Sequence, residues 1–186
     1  MTDYTLQPIP GKTLSRRLPE GTALVLEGGG LRGYYSCGVM EAFMKKDLLF
    51  PYIIGVSAGA ANALSYISGQ PGRSREIIEH YVGNPDYVST RNLLTKHTMF
   101  DFDYIFGTVP EKHIFFDWNK FHEQDTRFLT GAMNCADGKT VWFEKDTLKA
   151  PFMASRASCS VPLITKIQHY MGSVSYTHLR AHETEA

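Results

Sequence analysis

The residues best suited to do chemistry are one serine and the glycines around it. Ser57 stands in Gly55-Val56-Ser57-Ala58-Gly59, after the apolar run Tyr52-Ile53-Ile54 and before a run of small residues from Ala58 to Ser68. The first run predicts a short buried strand and the second a helix. A chain that passes from strand to helix on one residue holds that residue in a strained backbone conformation. Cβ atoms two positions away would collide with the turn, and glycine at 55 and 59 removes the collision. The spacing therefore predicts an elbow of Gly55, Val56, Ala58 and Gly59 that presents the Ser57 hydroxyl at the end of a strand and the positive end of a helix. Nucleophilic attack on an acyl carbonyl is the chemistry such a hydroxyl performs.

A second cluster, Gly28-Gly29-Gly30-Leu31-Arg32-Gly33, directly follows the apolar strand Ala23-Leu24-Val25-Leu26. GxSxG alone is a weak pattern, but two glycine clusters at successive strand-to-helix junctions are far less expected by chance. In adjacent parallel strands both junctions fall at one edge of the sheet. Backbone N–H groups of Gly28, Gly29, Gly30, Leu31, Arg32 and Gly33 then face a carbonyl attacked by Ser57, as an oxyanion hole requires. The same cluster fits G-x-G-x-x-G, yet a dinucleotide site needs a carboxylate at the end of the next strand, where Gly55-Val56-Ser57 stands. No Gly-Lys-Ser/Thr closes the 28–33 cluster, which argues against a phosphate-binding P-loop there.

The elements that must position these groups follow from the pattern. Residues 1–21 carry Pro8, Pro10 and Pro19 and predict an irregular lead-in. Tyr35, Val39, Met40 and Phe43 predict an amphipathic helix over 34–46, and a further helix is expected over 73–82, closed by Gly83-Asn84-Pro85. Residues 87–116 are rich in aromatics without a clean period and read as a loop-rich cap, either filling gaps in the core or walling an acyl chain. Asp117 predicts the N-cap of a helix through Gln124. Strands are expected at 127–135 and 140–144, joined by a hairpin turn at Asp137-Gly138. A helix over 147–160 with Pro151 in its first turns, then a strand within 163–171, complete the series.

The 186 residues, 43% of them hydrophobic, suffice for one domain with its own core. Lys and Arg number 19 against 19 Asp and Glu, without a basic run, so nucleic acid is not the expected partner. Cys37, Cys135 and Cys159 lack metal-ligand spacing and read as reduced thiols. With neither a signal peptide nor an apolar span, the chain is expected to be cytoplasmic and soluble. The histidines at 80, 97, 113, 122 and 169 offer partners for a Ser-His-acid triad, but the elbow comes too early, after the second strand, for an α/β-hydrolase order of elements.

These motifs, with Ala157-Ser158-Cys159-Ser160-Val161-Pro162 downstream, resemble the patatin-like phospholipases, and in particular their bacterial cytoplasmic branch. The resemblance spans Thr22 to Gly172. It implies an α/β fold with a largely parallel sheet flanked by helices, and lipid acyl hydrolysis by a Ser-Asp dyad without cofactor or metal. Ser57 is then the nucleophile and the 28–33 amides the oxyanion hole, with a lipid or acyl ester as substrate and transient contact with a membrane surface. The class-different alternative is a non-catalytic lipid-binding or interaction module. The dyad aspartate of this family lies in Asp-Gly-Gly or Asp-Gly-Ala after the Ala-Ser-x-x-x-Pro segment, and no such turn follows Pro162. Asp137-Gly138 is the one Asp-Gly of the chain and precedes that segment, so it is not assigned as the base.

The end of the chain, Val-Ser-Tyr-Thr-His-Leu-Arg-Ala-His-Glu-Thr over 174–184, resembles the translation of a transposon-end sequencing adapter. The expected organisation is a lead-in over 1–21, an incomplete patatin-like domain over 22–173 and a non-native tail over 174–186. Residues 1–186 alone are then expected to be inactive. Long-read resequencing of the locus should show an uninterrupted frame with Asp-Gly-Gly or Asp-Gly-Ala within about twenty residues of Met171. A stop codon after the present tail, without that motif, would defeat both the truncation and the dyad.

Overall fold

The computed structural model describes residues 8–149, 152–170 and 174–177, with Tyr170 and the last four residues described by their backbone. β1 (Arg16–Arg17) and β3 (Leu48–Leu49) form a small parallel pair. The main sheet holds β2 (Ala23–Leu26), β4 (Tyr52–Val56), β5 (Arg127–Asn134), β6 (Thr140–Glu144), β7 (Gln168–Tyr170) and β8 (Val174–Thr177). Its centre, β2-β4-β5, is parallel, with Leu26 opposite Gly55 and Val56 opposite Gly131. β6 returns on β5 as an antiparallel hairpin, and β8 pairs antiparallel with both β5 and β7. This is an α/β fold whose sheet has a parallel centre with antiparallel additions at β6, β7 and β8.

The parallel crossovers carry the helices. α1 (Gly33–Lys45) joins β2 to β4. Between β4 and β5 run α2 (Ala58–Ile67), α3 (Arg73–Tyr81), α4 (Thr90–Lys96), a π-helical segment (Tyr104–His113) and α5 (Trp118–Glu123). α6 (Met153–Cys159) follows β6. Asp117 caps α5 as expected, accepting a hydrogen bond from the Lys120 N–H at 2.9 Å.

α2 is the central helix. Its small residues let it lie against β4, α1 and α6 together, and Ala60, Ala63, Tyr66 and Ile67 are fully buried. Tyr66 donates its hydroxyl hydrogen to the Leu48 carbonyl at 2.5 Å, so its ring is buried without stranding the polar tip. Just past α2, the buried Gln70 amide is saturated. Nε2 donates to the Ile9 and Phe115 carbonyls, and Oε1 accepts from the Ser68 hydroxyl and the Asp117 N–H. Arg73 is buried, and no carboxylate pairs with it among the described residues. Its guanidinium donates to the carbonyls of Ile114 and Phe115 and to Ser65 Oγ, and lies 5.0 Å from the centre of the Phe116 ring. Burial lowers its pKa to about 9, and the carbonyl dipoles and ring face it meets are what offset that cost.

Two expectations change. The lead-in is irregular but not peripheral: Leu14 enters the core, its N–H donates to Gln124 Oε1, and the Lys12 N–H donates to the Gly69 carbonyl. Gly69, at φ +61°, admits that approach because a Cβ there would lie 1.9 Å from the Lys12 oxygen. The helix expected over 147–160 is reduced to Met153–Cys159, and Pro151 lies outside the described residues. Leu148 and Phe152 are both buried, and Phe152 takes a left-handed conformation (φ 59°) that stacks its ring on Trp118 at 4.6 Å, so the core breaks the helical path. Val174–Thr177, assigned above to the tail, forms strand β8; residues 178–186 lie outside the described set.

The aromatics of the middle region go mostly inward. Phe102, Phe106 and Phe116 join Phe121, Phe128 and Phe152 in one cluster, whereas Phe115 is 54% exposed. Phe121→Ala should therefore cost about 3–5 kcal/mol of stability by leaving a cavity. Phe115→Ala should stay within about 0.5 kcal/mol of the parent. Paired denaturant titrations check this, and equal effects at the two positions would contradict the packing.

Candidate active site

The site starts from two strand ends. Because Leu26 lies opposite Gly55, β2 and β4 leave the sheet at the same edge, one into the 28–33 loop and the other into Ser57. Close packing of α2 on this edge depends on the absence of side chains. A Cβ on Gly59 would lie 2.3 Å from the Leu26 carbonyl oxygen and 2.6 Å from that of Glu27. One on Gly55 would lie 2.7 Å from the Ala60 Cα. The second junction is tied to the first by Asn62, whose Nδ2 donates to the Gly33 carbonyl at 3.1 Å.

Ser57 is half-buried and has φ 53° and ψ −125°, a conformation that non-glycine residues seldom adopt. Such a conformation costs of order 1–3 kcal/mol and persists only where neighbours over-determine it. The strand-to-helix elbow expected from Gly55-Val56-Ser57-Ala58-Gly59 is thus present. In the first loop, Gly29 and Gly30 have φ of 155° and 56°. The Arg32 N–H donates to the Gly29 carbonyl, and the Gly33 N–H donates to the carbonyls of Gly30 and Leu31. These two amides are spent inside the loop, so donors for a ligand narrow to the amides of Gly28, Gly29, Gly30 and Leu31.

The end of α6 supplies a third wall that motif spacing left without a role. The buried Ser158 Oγ accepts the Ser57 backbone N–H at 2.7 Å and donates to the Gly131 carbonyl at 2.6 Å. The Cys159 thiol meets the Ser57 side chain; burial pushes its pKa up to about 12, against the smaller opposing effect of that hydrogen bond. A buried hydroxyl in a helix of small residues was the available signal for Ser158, but its target lies about a hundred residues earlier in the chain.

The remaining candidates are engaged elsewhere. His80 Nε2 lies 3.1 Å from Glu76, His97 caps α4, and His113 packs against Tyr81 and Tyr104. His122 stacks on Trp118 beside the start of β5, at the other end of the parallel strands from Ser57, and His169 lies on β7. Asp137 is exposed in the expected hairpin, where Oδ1 accepts the Lys139 N–H. Among the described residues no carboxylate and no imidazole hydrogen-bonds the Ser57 hydroxyl.

A parallel-centred sheet thus carries the 28–33 glycine loop and the strand-to-helix turn at Ser57 on one edge. The chain belongs to the patatin-like phospholipase family, whose family model matches residues 24–178. It is also similar to the uncharacterized protein YjjU of Escherichia coli (strain K12), at 33% identity over 102 residues that cover 54% of this chain. Those residues cover 29% of that protein, so the chain spans under a third of this relative's length. No helix among the described residues is long and apolar enough to cross a membrane.

The three thiols should separate by reactivity. A thiol whose pKa is raised holds little thiolate at pH 8, and the thiolate is the reactive form. Cys37, raised to about 11, and Cys159, raised to about 12, both by burial, should react with iodoacetamide at least about a hundredfold more slowly than the exposed Cys135. Their rates should climb as pH rises toward those values. Time-resolved peptide mass spectrometry checks the order, and alkylation of the half-buried Cys159 as early as that of Cys135 would contradict its raised pKa.

Proposed function

We propose that the parent protein hydrolyses carboxylic esters of lipids with Ser57 as nucleophile. The observation that carries this reading is the positive-φ conformation of Ser57 at a strand-to-helix junction beside the 28–33 glycine loop. Ser57 Oγ attacks the ester carbonyl carbon while its proton passes to a carboxylate base, the aspartate of a Ser-Asp dyad expected after the Ala157 to Pro162 segment. The tetrahedral oxyanion accepts hydrogen bonds from amides of Gly28, Gly29, Gly30 and Leu31. The protonated base then gives its proton to the departing alcohol as the C–O bond breaks. Water attacks the acyl-serine with the carboxylate again taking a proton, and the fatty acid leaves as Ser57 is regenerated. A single oxyanion donor of this kind is worth about 10²–10³ in rate. Exposed Leu31 and Tyr35, in and just past the loop, suit contact with an acyl chain or a membrane surface.

The absence of a carboxylate bonded to Ser57 among the described residues favours a second reading for residues 1–186 taken alone, lipid binding without turnover. A fluorophosphonate probe and a short-chain nitrophenyl ester, applied to residues 1–186 and to the product of the uninterrupted frame, separate the two. The longer protein should label and turn over, both losses following Ser57→Ala with the melting midpoint held within about 3 °C. Ester turnover that survives Ser57→Ala would remove the nucleophile assignment. Lipid binding without labelling in the longer protein would leave the second reading.

A further inference from the structure

We infer that Ser158 is a positioning residue for Ser57, holding the elbow from below and withdrawing the Ser57 amide from the donors a substrate oxygen meets. The inference rests on the reading of Ser57 as nucleophile for its functional consequence, but its geometry stands apart from that reading. Ser158 Oγ has one hydrogen and uses it on the Gly131 carbonyl at 2.6 Å, so a lone pair faces the Ser57 N–H at 2.7 Å. Both roles of the hydroxyl, donor and acceptor, are filled.

Gly131 is the residue of β5 opposite Val56, the last residue of β4. Beyond Val56 the parallel ladder ends, because Ser57 turns away at φ 53°, and its amide would be left without a partner on the sheet. The Ser158 hydroxyl takes the place of the missing strand, bridging the elbow amide to the β5 carbonyl across the end of the ladder. It is fully buried, and an unpartnered buried amide is costly, so the bridge opposes relaxation of Ser57 toward ordinary backbone angles. The neighbouring residue, Cys159, meets the Ser57 side chain, so one turn of α6 addresses both the backbone and the hydroxyl of the same residue.

A consequence follows for the oxyanion. The Ser57 amide points at Ser158, and the Arg32 and Gly33 amides are spent in their loop. A substrate oxygen is left to the amides at 28–31 and the first turn of α2. Changing Ser158 should then alter the orientation of the nucleophile rather than remove a donor to the substrate.

The test uses the product of the uninterrupted frame and reads amide exchange of Ser57 by NMR, together with the rate of fluorophosphonate labelling of Ser57, expressed per folded molecule. Ser158→Ala should speed exchange of the Ser57 amide at least tenfold and slow labelling at least tenfold. Ser158→Thr, which keeps the hydroxyl, should stay within about threefold of the parent in both. Should Ser158→Ala not fold, Ser158→Cys, a weaker donor and acceptor of similar shape, takes its place in the same measurements. Unchanged Ser57 exchange in Ser158→Ala, or in Ser158→Cys where it takes its place, overturns the inference whatever the labelling shows. Lost protection with equal labelling per folded molecule overturns the positioning role. Lost protection in a protein whose parent does not label at all supports the bridge and instead defeats the reading of Ser57 as nucleophile.

Discussion

Everything at the site depends on how closely α2 approaches the ends of β2 and β4. The first turn of the helix meets the carbonyls of Leu26 and Glu27 at distances that admit no Cβ on residue 59. That contact brings the positive end of α2 onto the edge where β2 releases its glycine loop. With glycine at 55 and 59, α2 packs close enough on the strand ends to hold the half-buried Ser57 in its strained conformation. A longer helix offset would accommodate side chains at 55 and 59, but it would move the hydroxyl away from the loop amides.

The rest of the fold holds that contact in place through the burial of α2. Ala60, Ala63, Tyr66 and Ile67 are enclosed by the sheet, α1 and α6, and the polar groups at the helix's far end are saturated by Gln70 and Arg73. These two residues draw together stretches distant in the chain: the lead-in at Ile9, the exit of the π-helical segment at Ile114 and Phe115, and the cap of α5 at Asp117. Buried polar groups with every hydrogen bond made contribute a unique arrangement as much as stability. The aromatic cluster of Phe106, Phe116, Trp118, Phe121 and Phe152 fills the volume beside them.

What the sequence determined by itself was local. Apolar runs ending on glycine at 26–28 and 54–55 defined strands that turn sharply, because only glycine fits where backbone approaches backbone. The Asp117 cap, the Asp137-Gly138 hairpin and the boundaries of α1, α2 and α3 follow from side-chain chemistry within a few residues of each element. Together these made the family legible, and with it the parallel centre of the sheet.

The tertiary structure decided the partners. Leu14 sits in the core despite the prolines around it, because Gln124 and Gly69 receive the lead-in backbone, and neither lies near it in the chain. The helix expected from 147 begins at 153 because Phe152 is drawn onto Trp118. Ser158 finds Ser57 across about a hundred residues, through a hydrogen bond that neither segment signals alone. Short-range sterics and capping are written in residue type and spacing. Which buried hydroxyl, amide or ring meets which group depends on the volume left once all the elements have packed.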